Sequence, residues 1–320
     1  MTFSKNQINR AGDILQAESA EPTERRQAAN LLTAWRLAHG ETLHQFSQRI
    51  HPLLDLQPEA ILAQRIKRLP SIVGKLQRYP QIKLAKMQDL VGMRVIMPTI
   101  EAVRNLENSL LSDENLVRHQ DYISNPKATG YRGIHCIYQF ANETQLELQI
   151  RTQQQHLWAT AVEMAGVILG VGDGIKTQQI SDDWLEFFAL VSSAFARLEG
   201  VPVVSQHEHL SELELYDAIA CLEERLEVLA QLQTVQPVET PVVRVDGDWQ
   251  LLNLKQQRLT VDCLDWEPAV QRYEQLEQDL SHQQQLVLVS VRLDQLRRAY
   301  PNYFLDIQPF AKQLQLILNG

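Results

Sequence analysis

Two stretches of this chain alternate between apolar and polar residues and read as β-strands with one polar face. In QLELQIR, residues 145–151, Glu147, Gln149 and Arg151 share one face while Leu146, Leu148 and Ile150 share the other. In IHCIYQF, residues 134–140, His135 stands opposite the apolar Ile134, Cys136, Tyr138 and Phe140. The segment before them, DYISNPKATGYRG, reads as a loop. Asn125-Pro126 punctuates it, Gly130 frees its backbone, and Lys127 and Arg132 flank an exposed aromatic, Tyr131. Upstream, Pro70 opens a helix on which Ser71, Lys75 and Arg78 recur on one face, with Ile72, Val73 and Leu76 on the buried side. DLVGMRVIM then reads as a buried strand with Asp89 at its entrance, followed by a helix near Ile100–Leu111. Asp89 and Arg94, five apart, would face opposite sides of an ideal strand. Either the strand begins after Asp89, or Gly92 allows a bulge that re-aims one of them.

The flanks are mostly helical. Residues 1–55 form a leader of two helices: the first is capped by Ser4 and spans Lys5 to about Ala17, and the second opens at Pro22 and carries Leu31, Leu32, Trp35 and Leu43. Trp35, Arg36 and His39 read as a tryptophan in an interhelical core with the other two at its rim. After Thr152 the text turns helical again. The Gly-rich bend from Gly170 to Gly174 lacks the Lys-Ser/Thr pair of a phosphate loop, so it reads as a connection. Helices follow at about 182–198 and 210–232, the second with Glu223, Glu224 and Glu227 outward. A linker with Pro237, Glu239, Thr240 and Pro241 precedes a β, β, α, β, α segment whose Tyr300, Tyr303 and Phe304 read as packing for the last helix, with a recognition surface as the alternative. The fold class is therefore α+β, with a mixed sheet flanked by helices. Expected units are the leader (1–55), a core (56–165), a helical extension with its linker (166–236) and a small α+β domain (237–320).

Composition narrows the function. The chain has 320 residues, 30 basic against 39 acidic, giving a net charge of −9, which argues against broad nucleic-acid coating but not against a local basic pocket. Three scattered cysteines, Cys136, Cys221 and Cys263, form neither a metal spacing nor a disulfide framework. No apolar run approaches the roughly 18–20 residues that span a bilayer, and the N-terminus lacks a signal-peptide core. The expectation is a cytoplasmic protein with no membrane partner.

A sheet face carrying a carboxylate, an amide and a guanidinium beside a basic, aromatic-tipped loop suggests a phosphate and metal site; a solvated edge hairpin would show the same alternation. The upstream helix strengthens the first reading. Arg65 and Lys67 precede it, and a helix start with free N–H groups suits a polyphosphate.

Four blocks in this order resemble the synthetase domain of the RelA/SpoT enzymes, which make guanosine tetra- and pentaphosphate alarmones. They are the R-I-K…S-I…K-L-Q-R text of residues 65–78, D-L-V-G-M-R-V of 89–95, D-Y-I…P-K…G-Y-R-G-I-H of 121–135 and E-L-Q-I-R-T of 147–152. The resemblance covers about a third of the chain and implies a nucleotidyltransferase-like core that moves pyrophosphate from ATP to the 3′-hydroxyl of GDP or GTP. It implies Mg2+ as cofactor, held by Asp89, with Glu147 either assisting the metal or acting as general base. It implies Arg65 and Arg94 sandwiching the adenine, and Lys67, Ser71, Lys75 and Arg78 carrying the donor phosphates. On the acceptor side it implies Tyr131 stacking on the purine, Lys127 and His135 binding phosphates, and Gln149 and Arg151 completing the site.

There are departures from the family pattern. GYRGIH stands where many members have a Ser before the hydrophobic residue and His, and Gln120 stands where several long enzymes carry Lys. No His-Asp dipeptide occurs, so the hydrolase domain of the long enzymes is not expected. Two other readings stay open: a toxin-like relative that modifies tRNA 3′ ends or adenine nucleotides, and a catalytically silent nucleotide-binding regulator. For residues 237–320 the favoured role is a regulatory or partner-binding module, with a structural brace as the alternative. A homo-oligomer is compatible with either.

Overall fold

In the computed structural model, all residues are described except 1–2, 18, 142–143, 171–180, 235–236, 239–241, 246, 256–257, 279–284 and 320. Three helices open the chain: α1 (Lys5–Gln16), α2 (Pro22–Leu37) and α3 (Gly40–Ile50). Ser4 and Gln7 form a reciprocal capping box at the start of α1, as the sequence predicts. The expected single helix after Pro22 is two helices, because the chain turns at Ala38-His39 to begin α3. Gly40 follows the turn. A Cβ there would lie 2.0 Å from the Trp266 ring, so only glycine lets that indole seat against the turn.

The core then runs β1 (Ile61–Ile66), α4 (Leu69–Arg78), β2 (Val91–Met97), α5 (Ile100–Leu110), β3 (Leu116–Asp121), β4 (Ile134–Gln139), β5 (Gln145–Thr152) and α6 (Gln153–Ile168). After it come α7 (Asp182–Glu199), α8 (Glu212–Leu226) and α9 (Val228–Gln233). The single helix expected over 210–232 breaks at Glu227, which adopts a left-handed conformation (φ 49°). The last part holds β6 (Val242–Val245), β7 (Trp249–Lys255), β8 (Arg258–Leu264), α10 (Trp266–Gln278), β9 (Gln285–Ser290), α11 (Leu296–Ala299) and α12 (Gln308–Leu318). Residues 171–174 of the Gly-rich bend and 239–241 of the expected linker lie outside the described residues.

Among the described residues the strands form one mixed sheet of nine, in the order β3-β4-β5-β2-β1-β9-β7-β8-β6. β2 pairs parallel with β5, and β1 antiparallel with β2. The expected boundary at residue 237 is not a break in this sheet. β9 pairs with β1 through Gln64↔Ser290 and Arg65↔Val289, so the strands of the last part extend the core sheet. Alternation sends even-numbered residues of β1 and β5 (Leu62, Ile66, Leu146, Leu148, Ile150) into a core with α3, α5 and α10. The opposite face, with Ile61, Ala63 and Ile96, packs under α6 to α9 and α12. A third cluster joins α1 and α2 to Ile72 and Leu76 of α4.

Side chains reinforce the junction between the last part and the rest. Arg36, fully buried on α2, donates to the Lys67 carbonyl (2.7 Å) and to Thr33 (2.8 Å), and pairs with Glu277 of α10. It therefore lies in the centre of a polar cluster, not at the rim of a tryptophan core. Tyr300 is buried with Tyr303 and Phe304, and its hydroxyl donates to the Gln64 carbonyl at 2.8 Å. No helix among the described residues is long and apolar enough to cross a membrane.

Candidate functional site

Strand register assembles the site. Arg65 of β1 lies opposite Gly92 of β2, which lies opposite Glu147 of β5. In the next row Ala63, Arg94, Gln149 and His135 stand side by side across β1, β2, β5 and β4. Directly paired residues project to the same side of a sheet, so both rows face one way. β2 begins at Val91, and neither its pairing with β1 nor that with β5 shifts register. Asp89 is therefore in the turn before the strand, which decides between the two readings of DLVGMRV without a bulge at Gly92. A pocket at this position is lined by Ala63, Arg65, Asp89, Gly92, Met93, Arg94, Glu147, Gln149 and Tyr300.

Asp89 holds two cations, Lys67 at 2.7 Å and Lys75 at 2.9 Å. Burial alone would raise its pKa, but the two ammonium groups outweigh that and hold the carboxyl well below the usual range. Burial lowers the pKa of Lys67 despite Asp89, and the Arg65 charge adds to the effect. Both lysines come from the β1–α4 corner, Lys67 just before the helix and Lys75 in its last turn. Ser71 is half-buried in the first turn of α4 and Arg78 is exposed in the last; neither lines the pocket. Burial, with Arg151 and Arg65 close by, lowers Arg94 to about 10, a level at which the guanidinium still carries its charge at neutral pH.

Glu147 accepts from His135 Nδ1 at 2.9 Å and from Gln149 Nε2 at 2.8 Å. Burial would push its pKa up and the Asp89 charge pushes the same way. The His135 contact outweighs both and brings it down to about 2, so Glu147 is ionised at neutral pH. Tyr131 is half-buried, and its hydroxyl touches His135 Nε2 and Arg151 Nη2. Lys127 Nζ lies 4.6 Å from the Tyr122 ring centre and 5.1 Å from that of Tyr131, and the Arg151 guanidinium lies 5.1 Å from the Tyr131 ring centre. Such placements attract through the ring quadrupole.

The loop bearing Tyr131 is built from within. Asp121 accepts from the backbone N–H groups of Ile123 (2.8 Å) and Ser124 (3.0 Å) and from Arg104 (2.8 Å). Arg132, expected to flank an exposed tip, is 3% exposed and donates to the Pro202 carbonyl (2.6 Å) and to Ser192 Oγ (3.0 Å). It anchors the loop to α7. Gly130 has φ +89°, and a Cβ there would meet Ser192 at 2.8 Å. Burial raises the Asp121 pKa, but its hydrogen bonds from Ser124, Arg104 and Ile123 outweigh that and lower it from 3.8 to about 2. A depressed carboxylate stabilises the fold above its unfolded pKa and loses that contribution as pH falls through the folded value. We expect wild type to exceed Asp121→Asn in stability by about 2 kcal/mol at pH 7, with the gap closing between pH 4 and pH 2. Urea unfolding across that range checks this, and a gap that stays constant with pH would contradict it.

The structure thus brings Asp89, Lys67 and Lys75 together, and separately joins Glu147, His135, Tyr131, Arg151 and Gln149. It adds two residues that the sequence does not place at the site. Tyr122, within the D-Y-I block, makes edge contacts with Tyr131 and His135. Tyr300 closes the pocket from the last part of the chain, and no local signal marks it.

Residues 64–165 match a family model described as a region found in RelA / SpoT proteins. The chain is 34% identical over 110 residues to the GTP pyrophosphokinase YwaC of Bacillus subtilis, covering 30% of this chain and 52% of that protein. It is 29% identical over 117 residues to the GTP pyrophosphokinase YjbM of the same organism, covering 33% of this chain and 56% of that protein. It therefore spans about half the length of these relatives. A structure of small alarmone synthetase 1 from Bacillus subtilis bound to its product pppGpp aligns with a TM-score of 0.43 at 21% identity, covering 51% of this chain and 89% of the other.

Proposed function

Starting from a chain whose residues 64–165 match a region found in RelA / SpoT proteins, we propose that it transfers pyrophosphate from ATP to the 3′-hydroxyl of GDP or GTP. The observation that carries this reading is one pocket lined by two ionised carboxylates, Asp89 and Glu147, and by the guanidinium groups of Arg65 and Arg94, with the Lys67 and Lys75 ammonium groups paired to Asp89. Phosphoryl transfer asks mostly for positioning and charge neutralisation. Arg65 and Arg94 present planar cations to the donor base. Lys67 and Lys75 take the donor phosphates. Tyr131, Lys127 and His135 face the acceptor from the loop and β4, with Gln149 and Arg151 behind them.

The two carboxylates are hard oxygen donors of the kind magnesium prefers, and that ion needs only one or two of them when substrate phosphates and water fill the remaining positions. Asp89 and Glu147 would hold it, and it would neutralise charge on the transferring group. Both Asp89 oxygens are already engaged by lysines. An incoming Mg–ATP offers phosphates to the lysines and a cation to the carboxylate at once, whereas free Mg2+ offers only the second.

Calorimetric titration tests this coupling. The protein should bind Mg2+ with a non-hydrolysable ATP analogue at least tenfold more tightly than either alone, a coupling of about 1.4 kcal/mol or more. Free Mg2+ binding equally well without nucleotide would contradict it.

A further inference from the structure

Five side chains on the acceptor side close a ring of hydrogen bonds. His135 Nδ1 lies 2.9 Å from Glu147 Oε1, and its Nε2 contacts the Tyr131 hydroxyl. Arg151 Nη2 donates to that hydroxyl oxygen at 2.8 Å and to Gln149 Oε1 at 2.8 Å. Gln149 Nε2 donates to Glu147 Oε2 at 2.8 Å, which returns to the starting carboxylate.

Counting hydrogens fixes the direction of the ring. Glu147, ionised, can only accept, so His135 must carry its hydrogen on Nδ1. A lone pair there would face a carboxylate. If Nε2 also carried a hydrogen, the Tyr131 oxygen would accept from both His135 and Arg151, and its own hydrogen would find no acceptor within the ring. With Tyr131 donating to Nε2, each of the five contacts around the ring has one donor and one acceptor. Burial pushes the Tyr131 pKa up, consistent with a hydroxyl that keeps its hydrogen.

We infer that the Tyr131 hydroxyl is a positioning group: acting through His135, it holds the Nδ1–H tautomer and so fixes the orientation of the Glu147 carboxylate. This is separate from any stacking by the Tyr131 ring, because it depends on the oxygen alone. Gln149 and Arg151 close the other side, so both Glu147 oxygens are oriented by neighbours that answer to one hydroxyl. The physical logic is that of an outer partner that sets the tautomer of a histidine and, through it, the geometry of the reacting group. The kinetic part of the inference rests on the pyrophosphoryl-transfer reading; the tautomer part does not.

Two measurements on the full chain test it. Tyr131→Phe keeps the aromatic face and removes the oxygen. Its kcat should fall by about 10- to 100-fold, the usual cost of losing an outer-shell partner, with KM for donor and acceptor within about twofold of wild type. Tyr131→Ala, which removes the face as well, should in addition raise the acceptor KM. An unchanged kcat in Tyr131→Phe, or a loss confined to acceptor KM, would overturn the positioning role. Nitrogen-15 NMR of wild type, with His135 assigned by its absence in His135→Gln, should show the neutral Nδ1–H tautomer. An Nε2–H tautomer, or a rapidly exchanging mixture, would overturn the ring even if no transfer is found. Should wild type transfer nothing, the functional reading fails while the spectrum still decides the ring.

Discussion

Asp89→Asn and Glu147→Gln should each lower turnover by about 10²–10⁴-fold, the range for removing a positioned acid–base group, with the circular dichroism of wild type retained. The two losses have different origins. Asp89 is the shared counter-ion of Lys67 and Lys75. Asparagine there leaves two cations close together with weaker anchoring, so under the proposed function the donor phosphates would meet a displaced pair. Glu147 sits opposite Gly92 and in contact with His135. Glutamine keeps the shape but presents an N–H2 where the ring supplies only donors, so one contact becomes donor against donor. Steady-state assays with magnesium and labelled ATP check both. Near-normal turnover in either variant would remove that residue from the chemistry.

A chain ending at residue 236 should aggregate or lose its native circular dichroism. The sequence alone favours residues 237–320 as a regulatory or partner-binding module, and the sheet favours the brace. Truncation removes β9 and uncovers the edge of β1, a ready template for intermolecular pairing. It removes Glu277 and leaves Arg36 buried without that partner, a loss of about 3–5 kcal/mol for a broken buried pair. It strips Val287, Val289, Tyr303 and Phe310 from the core under α6 and α7, and Leu286 and Leu288 from the opposite one. A stability of roughly 5–15 kcal/mol, usual for a folded domain, does not absorb such losses. Size-exclusion chromatography and circular dichroism of the truncated chain decide it. A monodisperse, fully structured product would restore the independent-module reading.

Much of the site was legible because its residues lie in local patterns. The alternation of QLELQIR places Glu147, Gln149 and Arg151 on one face, and the structure keeps them there. The Pro70 helix and the Asp89 strand entrance also appear within a residue or two of their expected positions. Three things were not legible. The break at Ala38-His39 carries no local signal that helical periodicity reads, and the close fit of Gly40 against Trp266 pairs residues more than two hundred apart. Arg132 looks like a surface cation in a loop, and only the fold supplies the Pro202 carbonyl and Ser192 that bury it. The joining of β9 to β1 rests on two residue pairs far apart in sequence. A proline-bounded, composition-defined linker therefore looked like a domain boundary, yet Val238 within it donates its N–H to the Phe304 carbonyl at 3.0 Å. Tyr300 reads as packing for the last helix, not as pocket lining, for the same reason.

The most direct measurement follows the terminal phosphates of ATP. The purified 320-residue chain is incubated with magnesium, γ-labelled ATP and, in separate reactions, GDP, GTP, ADP or uncharged tRNA, and the products are separated and digested. The expected result is label on the 3′-diphosphate of the guanine nucleotide, with one AMP released for each pyrophosphate transferred and transfer lowered by about 10²–10⁴-fold in the Glu147→Gln variant. Label confined to the ADP or tRNA reaction would contradict the guanine acceptor, and ATP left intact with every acceptor would contradict the pyrophosphokinase reading itself.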